Sequence, residues 1–454
     1  MVGEQGTVQP WHWRCWPLRQ RTGSDIFQSF FARSPIATLL ESPYPPSPDY
    51  PQLGRYSICA GPPRPGKLWM PNLSTIFPFL RQLNQSLATS APVPPHLPFQ
   101  GGWLGWLGFD AAWEIETLPY LRPDGLPFPV AYWYEPADFA VLDHQDQQLW
   151  LATTDAQTQT DWGIQLETML PHPTDPPLPA LSLQFTTDQD QYMAMVKRAK
   201  AYIKAGDIFQ ANLTLRFTAE SQTPLDSWAL YQRLHRINPS PFASYWRSPW
   251  GDVVSCSPER LVQLQGNLAQ TRPIAGTRPR GKTPPEDKQL QAELKAHPKE
   301  LAEHIMLVDL ERNDLGRVCH WGSVEVDELL AIERYSHVSH LVSNVRGRLR
   351  DDQTGADVIK ALFPGGTITG CPKVRCLEII EELEPVRRSL FYGSCGYWDH
   401  RGYLDLNILI RTLLITDQRA IGQVGAGIVA DSDPTQEWLE SLQKAKALLS
   451  ALNV

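Results

Sequence analysis

The sequence predicts a mixed protein in which strands dominate the first part of the chain and helices become frequent later. Over residues 1–170, short runs such as Tyr132–Tyr134 and Phe139–Leu142 are separated by turns rich in proline and glycine, which is typical of strands. From Thr187 onward, apolar residues recur every three or four positions, which indicates helices with one buried face. A chain of 454 residues is long enough to bury a large core between several such layers.

Three helices and one long strand are expected in the later part of the chain. The first helix begins after Asp188, which can cap it, and ends at Gly206, which can adopt a left-handed backbone. A second helix is expected from about Glu286 to Leu310, and a third near Gln436–Leu449. The apolar run Leu404–Ile415 predicts a strand between the last two helices.

A proline-rich stretch, residues 171–179 (PHPTDPPLP), separates the two patterns. Its prolines are incompatible with a helix and remove most of its backbone N–H donors. The sequence therefore predicts an N-terminal region over residues 1–170, a linker over 171–186 and a larger C-terminal region over 187–454.

Composition and charge narrow the class of function. Hydrophobic residues make up 42% and charged residues 20% of the chain, and the net charge is −8 without a basic run, so a nucleic-acid partner is not expected. No apolar run approaches the roughly 18 residues of a membrane span, and no apolar signal core is seen near the start. The seven cysteines are scattered without the spacing of metal ligands, which suits reduced thiols. We expect a cytoplasmic protein with no membrane partner.

The segment Thr271–Gly281 (TRPIAGTRPRG) carries the strongest chemical signal in the chain. Read alone, it is a proline-bounded turn that presents Thr277 and three arginines, and Gly276 lets backbone amides approach a ligand. A basic surface turn would look the same. Seven further segments help to decide between a ligand-binding segment and a basic surface turn. They are GDIFQANL (206–213), SPER (257–260), ELAEHIMLVDLERND (300–314), HLVS (340–343), FPGGTITGCPKVRCLEII (363–380), ILIRT (408–412) and GAGIVADSD (425–433).

In this order the segments resemble the chorismate-utilising enzymes, and the resemblance extends over residues 187–452. The first 170 residues resemble the N-terminal region of the same family more loosely, through LLES (39–42) and PFQGGWLGWLGFD (98–110). The resemblance implies an α+β fold like that of anthranilate synthase component I, with a large antiparallel β-sheet core flanked by helices. It also implies that the two regions pack together.

A Mg²⁺ site is the first functional feature that the resemblance implies. Family glutamates that match Glu303 and Glu440 hold a Mg²⁺ ion on the ring carboxylate of chorismate, and Glu437 shares a helix face with Glu440. The metal would neutralise that carboxylate and polarise the ring. Without the resemblance, Glu303 is interpreted as a helix-surface residue and Glu440 as the partner of Lys444 in a surface ion pair.

Arg411 is the main substrate-binding residue that the resemblance implies. It falls within an otherwise apolar predicted strand, where a buried guanidinium needs an anionic partner. The family match puts this arginine on the enolpyruvyl carboxylate of chorismate, and a structural ion pair is the alternative. The further substrate-binding residues expected from the match are Gly276, Thr367, Gly425, Ala426, Gly427 and Lys444.

Five residues are implied in catalysis. The match makes Glu259 an acid and base near the ring, and it puts His340 beside the leaving group at C4, where an imidazole helps hydroxide to depart. Thr277 would position the substrate with its hydroxyl. Gln210 and Ala275 indicate which member of the family this is.

Gln210 occupies the position at which the water-using relatives, the isochorismate and salicylate synthases, carry a lysine base. A neutral amide does not deprotonate water, so ammonia is the expected nucleophile. The chain lacks a nucleophilic cysteine followed by a distant His-x-Glu motif, so a separate glutamine amidotransferase subunit is the expected source of ammonia.

Two aminating reactions remain open. Anthranilate synthase adds ammonia at C2 and eliminates pyruvate, whereas aminodeoxychorismate synthase exchanges the C4 hydroxyl for an amine. Ala275 resembles the first, because many aminodeoxychorismate synthases carry a lysine there, whereas FPGGTITGCPK (363–373) and PFQGG near residue 98 resemble the second. We favour aminodeoxychorismate synthase component I, with anthranilate synthase component I as the alternative and an inactive tryptophan-binding homologue as a third hypothesis.

Two segments resemble the tryptophan pocket of anthranilate synthase. They contribute Leu40, Glu41, Ser42, Pro239, Ser240 and Pro241. Related aminodeoxychorismate synthases also hold tryptophan there as a structural ligand, so bound tryptophan is compatible with either reaction.

Overall fold

The computed structural model describes most of the chain, namely residues 11–45, 50–86, 93–168, 178–335 and 338–454. Residues 169–177, which include most of the proline-rich stretch, lie outside the described residues. Leu181–Phe185, at the end of the predicted linker, forms a strand that pairs with the C-terminal region.

The described residues contain 22 strands. In chain order they are β1 (His12–Pro17), β2 (Ala37–Glu41), β3 (Tyr56–Ala60), β4 (Pro63–Trp69), β5 (Gly102–Leu107), β6 (Ala131–Pro136), β7 (Phe139–Asp143), β8 (Gln148–Thr153), β9 (Leu181–Phe185), β10 (Gln210–Ser221), β11 (Phe242–Ser248), β12 (Gly251–Ser257), β13 (Arg260–Gln265), β14 (Leu268–Arg272), β15 (Ile274–Pro279), β16 (Glu325–Arg334), β17 (Val338–Arg348), β18 (Gly370–Cys371), β19 (Ser394–Asp399), β20 (Leu404–Asn407), β21 (Thr412–Thr416) and β22 (Arg419–Ile428).

The same residues contain 11 α-helices, four of them within the first 170 residues, where the sequence predicted mainly strands and loops. In chain order they are α1 (Gly23–Phe30), α2 (Ile76–Gln85), α3 (Ala112–Ile115), α4 (Ala156–Thr168), α5 (Gln189–Ala205), α6 (Ser227–Ile237), α7 (Pro284–Ala296), α8 (Pro298–Gly316), α9 (Gly355–Leu362), α10 (Lys373–Leu383) and α11 (Pro434–Leu452). None of these described helices combines the length and the apolar character needed to cross a membrane.

The strands form two antiparallel sheets. The first has 12 strands in the order β1-β8-β7-β3-β2-β11-β12-β21-β22-β10-β18, with β9 beside β10. The second has 10 strands in the order β15-β17-β14-β13-β20-β19-β5-β6-β4, with β16 beside β17. Every neighbouring pair in them is antiparallel, which confirms the expected α+β fold with an antiparallel core.

Both sheets contain strands from both regions of the chain. β2 pairs with β11 in the first sheet, and β5 pairs with β19 in the second. Side chains of the two sheets meet in one core, where the indole rings of Trp106 and Trp246 pack edge to face with centroids 5.8 Å apart. On β7, Val141 faces this core, whereas Ala140 and Leu142 face the side covered by α1, α5, α6 and α11. The N-terminal region is therefore folded together with the C-terminal region.

The first and third predicted helices are confirmed. The Asp188 carboxylate accepts a hydrogen bond from the Gln191 N–H at 2.8 Å and caps α5, and Gly206 ends that helix with a φ of +83°. The third predicted helix is α11, which begins earlier than expected because Asp433 caps it.

Two predictions of a continuous element are wrong, because the structure divides each of these elements into two. The helix predicted over Glu286–Leu310 is α7 followed by α8, since Pro298 restricts His297 to an extended backbone with φ −75° and ψ 110°. The strand predicted over Leu404–Ile415 is β20 and β21, which lie in different sheets. Arg411 therefore does not lie in a strand; it stands in the break, with a φ of +51°.

Candidate active site

His340 and Thr277 face each other on neighbouring strands. β15 and β17 pair so that the two residues are opposite, and the Thr277 Oγ1 is 2.9 Å from the His340 Nδ1. Burial and the charge of Arg411 lower the pKa of His340 to about 3, so its imidazole is neutral near pH 7. The other ring nitrogen, Nε2, is buried and has no hydrogen-bond partner among the described residues. It is available to a ligand or to water.

Glu259 is a buried carboxyl in the connection between β12 and β13, where its exposed fraction is 5%. Burial raises the pKa of Glu259 to about 7, and the Thr367 hydroxyl, the Ile274 backbone and Arg411 oppose this rise by favouring the charged form. Near neutral pH the carboxyl can therefore give and take a proton, as an acid and base must. Thr367, which was expected to bind substrate, lies beside this carboxyl.

The left-handed backbone at Arg411 directs this residue to the same recess as His340. The Arg411 Nη1 donates a hydrogen bond to the Asn238 Oδ1 at 3.0 Å, and Tyr335 and Pro258 line the recess beside them. No carboxylate of the described residues forms an ion pair with this guanidinium, so the alternative of a structural ion pair is not observed. The arrangement suits an anionic ligand.

Gln210 begins β10 and packs against the glycines of β22. Its side-chain Oε1 is buried without a hydrogen-bond partner among the described residues. A Cβ at Gly427 would lie 2.4 Å from the Gln210 Nε2, and a Cβ at Gly425 would lie 2.3 Å from the Leu213 carbonyl oxygen. The two glycines, with the fully buried Ala426 between them, belong to the β10–β22 ladder. Their absent side chains leave the space that the Gln210 amide and the neighbouring backbone occupy.

Gly276 lies against a carboxylate of α8. Its φ is +69°, and a Cβ built on it would lie 2.0 Å from the Glu300 Oε2. The Glu300 Oε1 pairs with the Arg278 Nη1 at 2.7 Å. Ala275, the preceding residue, is partly buried opposite Leu341 and offers no reactive group. The segment predicted as a proline-bounded turn is instead strand β15, and the Glu300 carboxylate joins this strand to α8.

Replacing Gly276 by alanine is expected to destabilise the protein by about 2–3 kcal/mol, because left-handed strain adds to the displacement of Glu300 from Arg278. The matched control is Gly266→Ala, since Gly266 has a φ of +61° and no atom within 4 Å of its missing Cβ. This control should lose only about 1 kcal/mol. Urea unfolding of both variants measures the difference. Equal losses would show that the Glu300 contact contributes nothing.

The three glutamates expected to bind metal lie on two helices. Glu303 is partly buried on α8, whereas Glu437 is buried and Glu440 is exposed on α11. Glu440 pairs with Lys444 at 2.9 Å, and the Lys444 Nζ also donates to the Gly425 carbonyl oxygen at 3.0 Å. These three carboxylates do not bring three oxygen atoms within 4.8 Å of one another. A cation bound here would thus complete its coordination with water or substrate oxygens.

A separate cluster of potential ligands consists of His96, Asp143 and Asp146. The Arg55 Nη2 pairs with Asp143 at 2.8 Å and with Asp146 at 3.0 Å. Because the Arg55 guanidinium already pairs with both aspartates, we interpret this cluster as an ion-pair network.

The residues of the expected tryptophan pocket line two neighbouring spaces. A cavity of about 220 Å³ lies between the two sheets and is lined in part by Leu40, Glu41, Ser42 and Pro241. The recess at Arg411 is lined by Pro239, Ser240 and again Pro241. The Ser42 Oγ donates to the Pro241 carbonyl oxygen at 2.8 Å, so one hydrogen bond joins the two segments.

Sequence reasoning placed Asn238 only in a segment of the expected tryptophan pocket, and it did not single out Glu311. Asn238 holds the guanidinium described above, and Glu311 is a carboxyl on α8 with an exposed fraction of 4%. Burial, and then the charge of Asp314, raise the pKa of Glu311 to about 8. The available signal was helical spacing, since Glu311 lies four residues from each of the buried Leu307 and Leu315, where an apolar residue is expected.

Comparison with known proteins bears on this arrangement directly. The sequence matches the chorismate binding enzyme family over residues 55–450. The chain belongs to this family. Membership confirms the family resemblance that was inferred from the order of the sequence motifs. The chain is a chorismate-utilising enzyme of the group that includes anthranilate synthase and aminodeoxychorismate synthase.

Individual members of the chorismate-binding family are similar over most of their length. A Synechocystis protein named anthranilate synthase component I-like is 70% identical over 99% of this chain and 94% of its own. Aminodeoxychorismate synthase component 1 of Bacillus subtilis is 47% identical over 78% of each chain. Anthranilate synthase component 1 of Synechocystis is 43% identical over 82% of this chain and 80% of its own.

A solved family structure has the same fold. Anthranilate synthase component I from Streptococcus pneumoniae superposes with a TM-score of 0.77 at 32% identity, covering 87% of this chain and 92% of that one. The similarity includes both sheets, because the match extends over most of the chain.

Proposed function

We propose that this enzyme is an aminodeoxychorismate synthase component I, which replaces the C4 hydroxyl of chorismate by an amine. The observation that supports ammonia as the nucleophile is the buried Gln210 amide beside Gly427 of β22, and the segments FPGGTITGCPK and PFQGG favour attack at C4. An amide has no basic lone pair with which to deprotonate water, whereas ammonia is already a nucleophile. Glu259 and His340 supply the remaining hydrogen-bonding and proton-transfer groups.

In the proposed reaction Glu259 gives its proton to the C4 hydroxyl, which departs as water. A carboxyl with a pKa of about 7 retains a proton in much of the population near neutral pH and can take it back afterwards. Ammonia supplies the electron pair of the new C–N bond, and its surplus proton returns to the Glu259 carboxylate. The neutral His340 ring offers Nε2 to the departing hydroxyl, and Arg411 binds a substrate carboxylate.

The relatives support this branch over the alternative. Synechocystis has a protein named anthranilate synthase component 1 that is 43% identical to this chain, and a distinct component I-like protein that is 70% identical. This chain is more similar to the component I-like protein than to the Synechocystis sequence named for anthranilate synthesis. The identity to the Bacillus aminodeoxychorismate synthase, 47%, also exceeds the identity to that anthranilate synthase.

Anthranilate synthase component I is the second candidate, and Ala275 is the observation that favours it. The side chain is a methyl group on β15 and forms no covalent adduct with a substrate, unlike the lysine that many aminodeoxychorismate synthases carry there. On this reading ammonia attacks C2 of chorismate and pyruvate is eliminated.

Product analysis distinguishes the candidates. The purified protein is incubated with chorismate, Mg²⁺ and ammonium, and the products are identified by mass spectrometry. Aminodeoxychorismate supports the proposal, and anthranilate with an equal amount of pyruvate supports the second candidate. The absence of any product, with tryptophan still bound, supports the inactive homologue. Isochorismate formed without ammonium would contradict the role given to Gln210.

The carboxylates present fit a Mg²⁺ ion. α8 packs on β15 and β17, and α11 packs on β10 and β22, so both helices border the strands that carry the site residues. We propose that Glu303, Glu437 and Glu440 hold the ion, with water and substrate oxygens completing a shell of hard ligands. When bound, the ion would neutralise the ring carboxylate of chorismate.

Removing Mg²⁺ with a chelator is expected to abolish turnover, and adding Mg²⁺ back should restore it. Glu440→Ala should raise the Mg²⁺ concentration for half-maximal rate at least about tenfold, because it removes one carboxylate ligand. Glu382→Ala is the matched control, since Glu382 is an exposed helical glutamate on α10. Calorimetric titration of Mg²⁺ in the presence of chorismate gives a second readout. Unchanged Mg²⁺ affinity in Glu440→Ala would refute the assignment of this ligand.

Ammonia is proposed to come from a separate glutamine amidotransferase subunit. Ammonium should then support turnover by this chain alone, whereas glutamine should do so only after that subunit is added. The cavity of about 220 Å³ between the sheets is the proposed place for a bound tryptophan.

A further inference from the structure

A second buried carboxyl lies near Glu259, and the reaction described above does not use it. Glu311 has an exposed fraction of 4% and Glu259 one of 5%. The two residues belong to different elements, Glu311 to α8 and Glu259 to the β12–β13 connection. A buried carboxylate is costly unless it is paired, so two such groups together call for a physical explanation.

One short turn contacts both carboxyls. Gly366–Ile368 forms a single 3₁₀ turn, in which the Thr367 hydroxyl lies at Glu259 and the Gly366 backbone lies at Glu311. The Glu311 Oε1 is 3.3 Å from the position that a Cβ on Gly366 would take. Because consecutive Cα atoms are about 3.8 Å apart, the turn brings the two carboxyls close together, and the charge of Glu259 acts on Glu311.

The charged groups around the pair do not neutralise it. Asp314, on the same helix as Glu311, and Glu259 both repel a charge on Glu311. Lys373 from α10 attracts that charge, but its Nζ is 2.6 Å from the Asp314 Oδ2. Arg411 is the cation that faces Glu259. With one guanidinium for two carboxyls, the pair is most stable when it keeps one proton.

We propose that Glu311 stores the proton that Glu259 uses. The proton leaves Glu311 for the Glu259 carboxylate and passes from Glu259 to the C4 hydroxyl, which departs as water. Both carboxyls are then ionised until the new amine returns its surplus proton to them. The inference rests on the proposed function for the identity of the acceptor. Burial raises the pKa of both carboxyls, and it raises the pKa of Glu311 further. Glu311 therefore keeps its proton when Glu259 has released its own, as a proton store must.

Glu311→Gln tests the store, because it removes the second proton and keeps the size of the side chain. Near pH 6.5 the kcat of this variant should stay within about twofold of wild type, since Glu259 still holds a proton there. The alkaline limb of the kcat profile should move to lower pH, because the pair holds a proton to higher pH than Glu259 holds one alone. The control is Glu382→Gln, because Glu382 is exposed, and it should leave the pH profile of kcat unchanged.

A second measurement does not depend on turnover. Infrared difference spectra recorded along a pH titration follow the C=O stretch of protonated carboxyls. Glu311→Gln and Glu259→Gln should each lose one buried carboxyl proton fewer than wild type, whereas Asp110, whose pKa burial also raises to about 7, contributes equally to all three spectra. If Glu311→Gln does not fold, Glu311→Met replaces it, since Met has a similar volume and no titratable proton.

The product analysis tests the proposed reaction, whereas the kcat profile and the infrared titration test the proton store. If the product is anthranilate or no product forms, the proposed reaction fails, but the infrared titration still reports the pair. An alkaline limb and a carboxyl titration that are both unchanged in Glu311→Gln would overturn the store, as would an ionised Glu311 in wild type at pH 7.

Discussion

Replacing Glu259 by glutamine is expected to lower kcat by about 10³-fold, which is the scale of a lost general acid and base. Glutamine keeps the shape of the side chain in a place that is 5% exposed, so the fold is retained and the titratable proton is lost. Steady-state rates with chorismate, Mg²⁺ and ammonium measure the effect. Glu382→Gln, on the exposed side of α10, serves as the control and should keep the wild-type rate.

The same substitution is expected to stabilise the protein at alkaline pH. The folded pKa of Glu259 is about 7 and the ordinary value is 4.5, so between these values the folded state binds a proton that the unfolded state has released. Wild-type stability therefore falls as pH rises through this window, by about 3 kcal/mol in total. Glu259→Gln avoids this cost and should be more stable at pH 8, with little difference near pH 4. Equal urea midpoints at pH 8, or a retained kcat, would contradict the role of a buried acid.

Replacing Arg388 by alanine is expected to destabilise the protein by about 3–5 kcal/mol, because it leaves Glu384 as an unpaired buried charge. The Arg388 side chain is 1% exposed, and its Nη2 is 2.7 Å from the Glu384 Oε1. The same guanidinium donates to the Ile368 carbonyl oxygen at 2.8 Å and to the Asn212 carbonyl oxygen at 2.7 Å. It therefore joins the turn beside Glu259 to β10, and activity should fall with stability.

The matched control is Arg346→Ala. The Arg346 side chain is 39% exposed and pairs with Glu325 at 2.8 Å and Asp327 at 3.0 Å. Exposed pairs are screened by water, so this variant should lose far less stability than Arg388→Ala. Urea unfolding at pH 7 compares the two. Losses of similar size would show that burial of the Arg388 pair does not determine its contribution.

The candidate site could be proposed from the sequence because its residues fall in short segments of fixed order. Glu259 lies in SPER, Thr277 in TRPIAGTRPRG and His340 in HLVS, and the structure brings the last two into hydrogen-bond contact. Asp188 and Gly206 likewise bounded a helix correctly, because capping is decided by adjacent residues. Features of this kind depend on a few neighbours along the chain.

Two elements were mispredicted, one despite a local signal and the other because it depends on distant contacts. The helix expected over Glu286–Leu310 breaks at Pro298, a local signal that the apolar spacing concealed. The strand expected over Leu404–Ile415 breaks because its two ends join different sheets, which gives Arg411 its left-handed backbone and its contact with Asn238. No periodicity along the chain records which sheet a run of apolar residues will join.

The sequence by itself determined the family, the α+β class and the identity of Glu259, His340 and Arg411, because residue type and order are properties of the chain. The tertiary structure decided which of these groups hold a proton. The carboxyl of Glu259 and the imidazole of His340 have pKa values of about 7 and about 3 because strands and turns far apart in the sequence exclude water from both. Glu311, unremarkable in the sequence, acquires its raised pKa in the same way. Desolvation depends on everything packed around a side chain, and only the folded chain fixes that environment.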